Sequence, residues 1–93
     1  MKSGSKVYLL SGSRTPIGSF GRSLKSVTVD KLAGHAMVNA IRRANIVADA
    51  IDQIILGHGY QSSYTPNTAR FAQLESGLPP SIPAYTVQRQ CGS

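Results

Sequence analysis

Cys91 is the only cysteine of the chain, and its neighbours suit it to chemistry. It follows an apolar, strand-forming run, Ala84-Tyr85-Thr86-Val87, and stands directly before Gly92 and Ser93. A helix opening at this turn would offer Cys91 free backbone N–H groups and the positive end of its dipole, and both favour a thiolate. Gly92 has no side chain, so the backbone beside the sulfur can approach a substrate closely. An acyl-accepting nucleophile needs this arrangement. The same pattern suits an inert cysteine that packs as a small hydrophobe. The residue types alone leave both readings open.

Few other residues compete for a chemical role. His58 closes the apolar run Gln53-Ile54-Ile55-Leu56 and lies between Gly57 and Gly59. At a strand end it can point toward Cys91 as a base, or hold a loop through a hydrogen bond, which is the commoner use of such a histidine. His35 falls inside a helical pattern and reads as packing or surface. Gly12, Gly18 and Gly21 share one loop, but neither the Walker nor the dinucleotide-binding pattern is present, so they read as turn residues. No set of residues has metal-ligand spacing, and no metal is expected.

Elements that would position Cys91 can be read from the periodicity. Val7-Tyr8-Leu9-Leu10 is a short apolar run stopped by Ser11-Gly12-Ser13 and reads as a buried strand near residues 6–11. A helix opens at Thr28, with Asp30 in its first turn and a stripe of Val29, Leu32, Ala33, Ala36, Met37, Ala40, Ile41 and Ala44. Its small residues, Gly34 among them, allow another element to pack close. Arg42 and Arg43 suit its last turn, and Asn45 can take a left-handed cap. A second strand is expected near 53–58, and a second helix over 68–76, capped by Asn67 and stopped at Gly77. Ala69 and Ala72 should face inward on that helix, with Phe71 and Leu74 as further candidates. Ala84 to Val87 makes a third strand. The order is β-α-β-α-β, which predicts an α/β fold of parallel strands joined by crossover helices. In such sheets, reactive groups gather at the carboxyl ends of the strands, where Cys91 lies.

Composition bounds the rest. With 93 residues the chain is one small domain or part of a larger one, and it has no disulfide pair to staple a modest core. The formal net charge is +6, but the ten Lys and Arg residues are scattered and no run exceeds two. That argues against a nucleic-acid partner. No apolar run approaches the ~20 residues of a membrane span, and the basic start at Met1-Lys2-Ser3-Gly4-Ser5-Lys6 leads into an apolar stretch too short for a signal-peptide core. A lone cysteine suits a reducing compartment, so a cytoplasmic protein is expected.

Four segments, in order, resemble the thiolase family. Ser13-Arg14-Thr15-Pro16-Ile17-Gly18-Ser19-Phe20-Gly21-Arg22-Ser23-Leu24 is similar to the opening loop of thiolases, and Ile51-Asp52-Gln53-Ile54-Ile55-Leu56-Gly57-His58 to their second strand. Asn67-Thr68-Ala69-Arg70 resembles the Asn-Pro-Ala-Arg helix start. Val87-Gln88-Arg89-Gln90-Cys91-Gly92-Ser93 resembles the segment carrying the nucleophile, where Cys-Gly-Ser-Gly is usual. Departures occur at Gln88, where Asn is common, at Pro66 and Thr68 around Asn67, and at Tyr60 and Ser62-Ser63. They bear on acyl-chain preference and subfamily and leave Cys91 untouched.

The resemblance implies an incomplete thiolase-like N-terminal domain spanning 1–93, ending just after the nucleophile. It implies an acetyl-CoA acyltransferase or acetyltransferase that forms or cleaves 3-oxoacyl-CoA through an acyl-Cys91 intermediate. Coenzyme A thioesters would be its substrates, with no permanently bound cofactor, and the complete enzyme would be a homodimer or homotetramer. In the family the remaining catalytic groups and the loop that binds most of the CoA come from later in the chain, so the 93 residues alone are expected to be inactive. Arg14 and Arg70 can meet CoA phosphates, although a role in holding loops or a subunit contact fits them better. Alternatives are a truncated, non-catalytic interaction piece and a related condensing enzyme such as a ketoacyl synthase.

Overall fold

The computed structural model describes residues 4–93; the first three residues of the basic start lie outside the described residues. Helix α1 spans Val29–Ala44 and helix α2 spans Thr68–Glu75. Strand β1 covers Ile54–Gly57 and strand β2 covers Ala84–Val87, and the two pair in parallel with Ile54 opposite Ala84 and Gly57 opposite Val87. Short 3-10 turns lie at Ala48–Ala50 and Gln90–Gly92. The architecture is α/β, with α2 as the crossover between the parallel strands.

Helix ends follow local chemistry. Asn45 closes α1 in the left-handed conformation (φ 57°, ψ 43°) and its N–H donates to Arg42 O. Thr28 stands at the start of α1 but makes no side-chain capping bond. Asn67 does cap α2, its side-chain oxygen accepting from Arg70 N at 3.3 Å. After α2, Gly77 takes φ 78°, so that Gly77 N reaches Leu74 O and Leu78 N reaches Gln73 O. That is a Schellman closure, which favours glycine at the left-handed position.

The core is small. Ile54, Ala69, Leu78 and Ile82 are buried together, and Met37, Val38, Ile41 and Leu56 pack against them. Helices α1 and α2 meet at Gly34, where a Cβ would lie 3.0 Å from Ser76 Cβ and 3.1 Å from Ala72 O. On α2 the buried face is Thr68, Ala69, Ala72 and Gln73. Phe71 and Leu74, candidates for the inner face, are instead 44% and 52% exposed. Polar Thr68 and Gln73 take the inner positions because each finds hydrogen-bond partners there.

The expected first strand is not formed. Val7 to Leu10 lies outside the two-stranded sheet, and Leu9 is 98% exposed. The stretch that follows is tied to α1 instead: Ser13 Oγ donates to Ala36 O at 2.8 Å, Ser11 Oγ to Ala40 O, and Arg43 to Gly12 O at 3.0 Å. Strand propensity reflects packing on a pleated, half-buried surface, and this run has no such surface against it. Among the described residues no helix is long and apolar enough to cross a membrane.

Candidate active site

Because β1 and β2 are parallel and Gly57 is in register with Val87, the loops leaving both strands emerge side by side. The ladder runs one step further, with His58 N donating to Val87 O at 3.0 Å. Cys91 lies in the loop after β2, as a free and exposed thiol. The expected helix start there is a 3-10 turn, with Gly92 N bonded to Arg89 O at 2.8 Å and Ser93 N to Gln90 O at 3.1 Å. Arg89 N donates to Ser93 Oγ at 2.6 Å, and Gln90 adopts a left-handed φ of 49°.

His58 does not serve this turn. Successive strand residues point to opposite faces. Ile54 and Leu56 are buried or half-buried on the helix side, and His58 continues on that side to meet Thr68 at the start of α2. Its Nδ1 lies 2.9 Å from Thr68 Oγ1, and the Thr68 hydroxyl donates its one proton to Thr65 O at 3.0 Å. The imidazole therefore donates through Nδ1–H. Of its two sequence readings, the loop-holding one is realised. His35 is exposed on α1, where Asn39 Nδ2 donates to its carbonyl at 2.8 Å.

The supports of β2 were only partly legible. Besides capping α2, Asn67 accepts from Thr86 Oγ1 at 2.8 Å and donates to Ala84 O at 3.1 Å, while Ala69 N donates to Thr86 Oγ1 at 2.9 Å. One asparagine thus fastens the start of α2 to the strand that carries the cysteine loop. Arg70 is committed to the turn before β2, donating to Gln73 Oε1 at 2.9 Å and Pro80 O at 2.7 Å. Among the described residues, Arg14 reaches its neighbour, Thr15 O, at 3.1 Å. A cleft of about 500 Å³ between the start of α1 and the 62–65 loop is lined by Val29, Tyr64 and Phe71, and Cys91 does not line it.

Residues 7–93 match the family described as thiolase, N-terminal domain. The chain belongs to the thiolase family. A relative named acetyl-CoA acetyltransferase from Syntrophomonas wolfei is 39% identical over 88 residues, covering 95% of this chain and 22% of the relative. A probable acetyl-CoA acyltransferase of Staphylococcus aureus is 36% identical over the same shares. Among solved structures, the acetyl-CoA acetyltransferase of Bacillus anthracis superposes with a TM-score of 0.86 at 42% identity, covering 90% of this chain and 21% of that one. The chain spans about a fifth of the length of these relatives (22%). The matched thiolase region takes in the Ser13 to Leu24 loop, the exposed Val7 to Leu10 run and the Cys91 turn.

Proposed function

We propose that this chain is the N-terminal part of a thiolase-type acyltransferase and supplies its nucleophile, Cys91. The thiolate attacks the thioester carbonyl of an acyl-CoA. The tetrahedral intermediate then breaks its bond to the coenzyme sulfur, CoA leaves as a thiolate and takes up a proton, and the acyl group stays on Cys91. In the second half-reaction a base removes a proton from the α-carbon of acetyl-CoA. The carbanion attacks the acyl-cysteine carbonyl, a carbon–carbon bond forms, and the Cys91 thiolate is released with 3-oxoacyl-CoA as product. Run in reverse, CoA cleaves a 3-oxoacyl-CoA such as acetoacetyl-CoA.

One observation carries this reading: the sole thiol stands exposed just past the carboxyl end of a parallel pair, in a chain of the thiolase family. The names of its relatives support acetyl-CoA as acyl donor. Both half-reactions need a base and oxyanion donors. His58 lies on the helix side, away from the Cys91 turn, and the resemblance to thiolases puts these groups later in the chain, so the 93 residues alone are expected not to turn over. The working enzyme is a homodimer or homotetramer of longer subunits, and its unpaired thiol suits the cytoplasm. Intact-mass spectrometry of the whole enzyme mixed with acetyl-CoA tests this. The expected result is a gain of one acetyl group mapped to Cys91 and absent in Cys91→Ser. Acetylation that persists in Cys91→Ser overturns the proposal.

A further inference from the structure

We infer that Gly57 and Gly59 are positioning residues, forming a side-chain-free ledge that seats the turn carrying Cys91. Their effect on catalysis rests on the acyl-transfer reading; the ledge itself rests on geometry alone. Ile54, Leu56 and His58 face the helices, so Ile55, Gly57 and Gly59 share the opposite face, where Ile55 is 53% exposed. The cysteine turn lies over that face. A Cβ at Gly57 would lie 2.8 Å from the Ser93 carbonyl carbon, and closer still to its oxygen. A Cβ at Gly59 would lie 3.1 Å from Gln90 O and 3.6 Å from Gln90 C. The obstacle at Gly59 is main chain inside the turn, which cannot swing aside as the tip of a long side chain can; the one at Gly57 is the carbonyl group of Ser93, the last of the 93 residues, so the Gly59 contact is the firmer of the two.

Neither glycine is required by its backbone angle, since the left-handed glycines of the described residues are Gly4, Gly21 and Gly77. Space is therefore the reason for glycine at 57 and 59. The ledge is also held from behind. His58, between the two glycines, donates its N–H to Val87 O, and its ring is fastened to Thr68 on the helix side. The turn rests on a fixed surface, and a methyl group on that surface must move residues 90–93 outward. A displacement of roughly 1 Å at a reacting group is enough to lower a rate by up to about a hundredfold.

The test has two arms. In ¹H–¹⁵N spectra of the whole enzyme, Gly57→Ala and Gly59→Ala should shift the amide signals of residues 89–93 and leave those of Ala69 and Ala72 in place. Ile55→Ala, on the same face one pair back, should leave residues 89–93 unmoved. In the whole acyltransferase, Gly57→Ala should lower kcat at least about tenfold with KM for acyl-CoA within about twofold, a split that simple loss of folded enzyme does not produce once active protein is titrated. Unmoved amide signals in both folded variants overturn the ledge, whatever the enzyme does. Should Gly57→Ala fail to fold, the longer contact at Gly59 carries the test; if both variants unfold, the glycines serve the fold at large and the inference falls. Shifted signals in a protein whose wild type never accepts an acyl group overturn the acyl-transfer reading and leave the ledge standing.

Discussion

Cys91 is exposed, so replacing it separates chemistry from folding. Cys91→Ser in the whole enzyme should leave stability within about 0.5 kcal/mol, as expected of an exposed site. Acyl transfer should fall by roughly a thousandfold or more, because an unassisted hydroxyl is a far weaker nucleophile. A thermal melt and a burst assay with acetyl-CoA read the two quantities. Gln73 poses the opposite case. It is fully buried, its Nε2 donating to Pro79 O at 2.7 Å and Ile82 O at 2.8 Å while its Oε1 accepts from Arg70. Gln73→Met keeps the length and strands those partners, and should cost about 2–4 kcal/mol in a urea titration of the chain. A loss below 1 kcal/mol would mean that water or relaxation satisfies the two carbonyls. The sequence pattern placed Cys91 in a turn after a strand, and the structure has it exposed there; its role as nucleophile is the proposal. Gln73 was not legible, since a glutamine in a helix reads as solvent-facing until the carbonyls it serves, six and nine residues on, are known. His58 was legible only as a choice between two roles, and its contact with Thr68 is the hydrogen bond that the loop-holding one expects.

Elements with local boundary signals formed where those signals stand. Asn67 and Gly77 bracket α2, Asn45 ends α1, and Ala84–Val87 is the strand expected from its composition. Val7 to Leu10 is different in kind: nothing within the run decides whether a neighbour will pair with it. The joint between α2 and β2 is also non-local, and it can be measured. Asn67→Ala removes a helix cap worth about 1 kcal/mol together with two bonds to β2, so the loss should reach about 2–3 kcal/mol. A double-mutant cycle with Thr86→Val should give a coupling of about 1 kcal/mol between the two side chains, whose oxygens lie 2.8 Å apart. Strictly additive losses would show that the Asn67–Thr86 bond contributes nothing and leave the bond to Ala84 O as the link to β2. The contact between the helices makes a further test. Gly34→Leu forces a side chain against Ser76 and the Ala72 carbonyl, and should destabilise by about 1–3 kcal/mol although leucine is the better helix former.

Taken as a whole, these 93 residues, about a fifth of the length of their relatives (22%), set a small core against many exposed apolar side chains. Buried hydrophobic residues among those described are Ile54, Ala69, Ala72, Leu78 and Ile82, while Tyr8 and Leu10 are about 70% exposed and Leu9 is 98% exposed. Exposed apolar runs with free backbone groups favour association. The net charge of +6 opposes it, because every copy carries the same sign. The balance should turn on ionic strength: charges repel across about 30 Å at 0.01 M salt but only about 8 Å at 0.15 M. The chain should therefore be mostly monomeric at low salt and associate as salt rises, as followed by light scattering at fixed concentration. Two substitutions locate the contact. Leu9→Lys removes an exposed apolar group and adds charge without touching the core, so it should leave the melt unchanged and weaken association at least about fivefold at 0.15 M salt. Tyr85→Lys makes the same kind of change on β2, whose outer edge has no strand neighbour among the described residues, although Asn67 occupies Ala84 O. Adding charge alone should weaken association equally at both sites, so a difference between them reports the surface in contact. Weakening confined to Leu9→Lys identifies the Val7 to Leu10 run as the sticky edge, the segment with strand-forming residues and no strand partner. Weakening confined to Tyr85→Lys moves the contact to β2, and the exposed run then has no part in self-association.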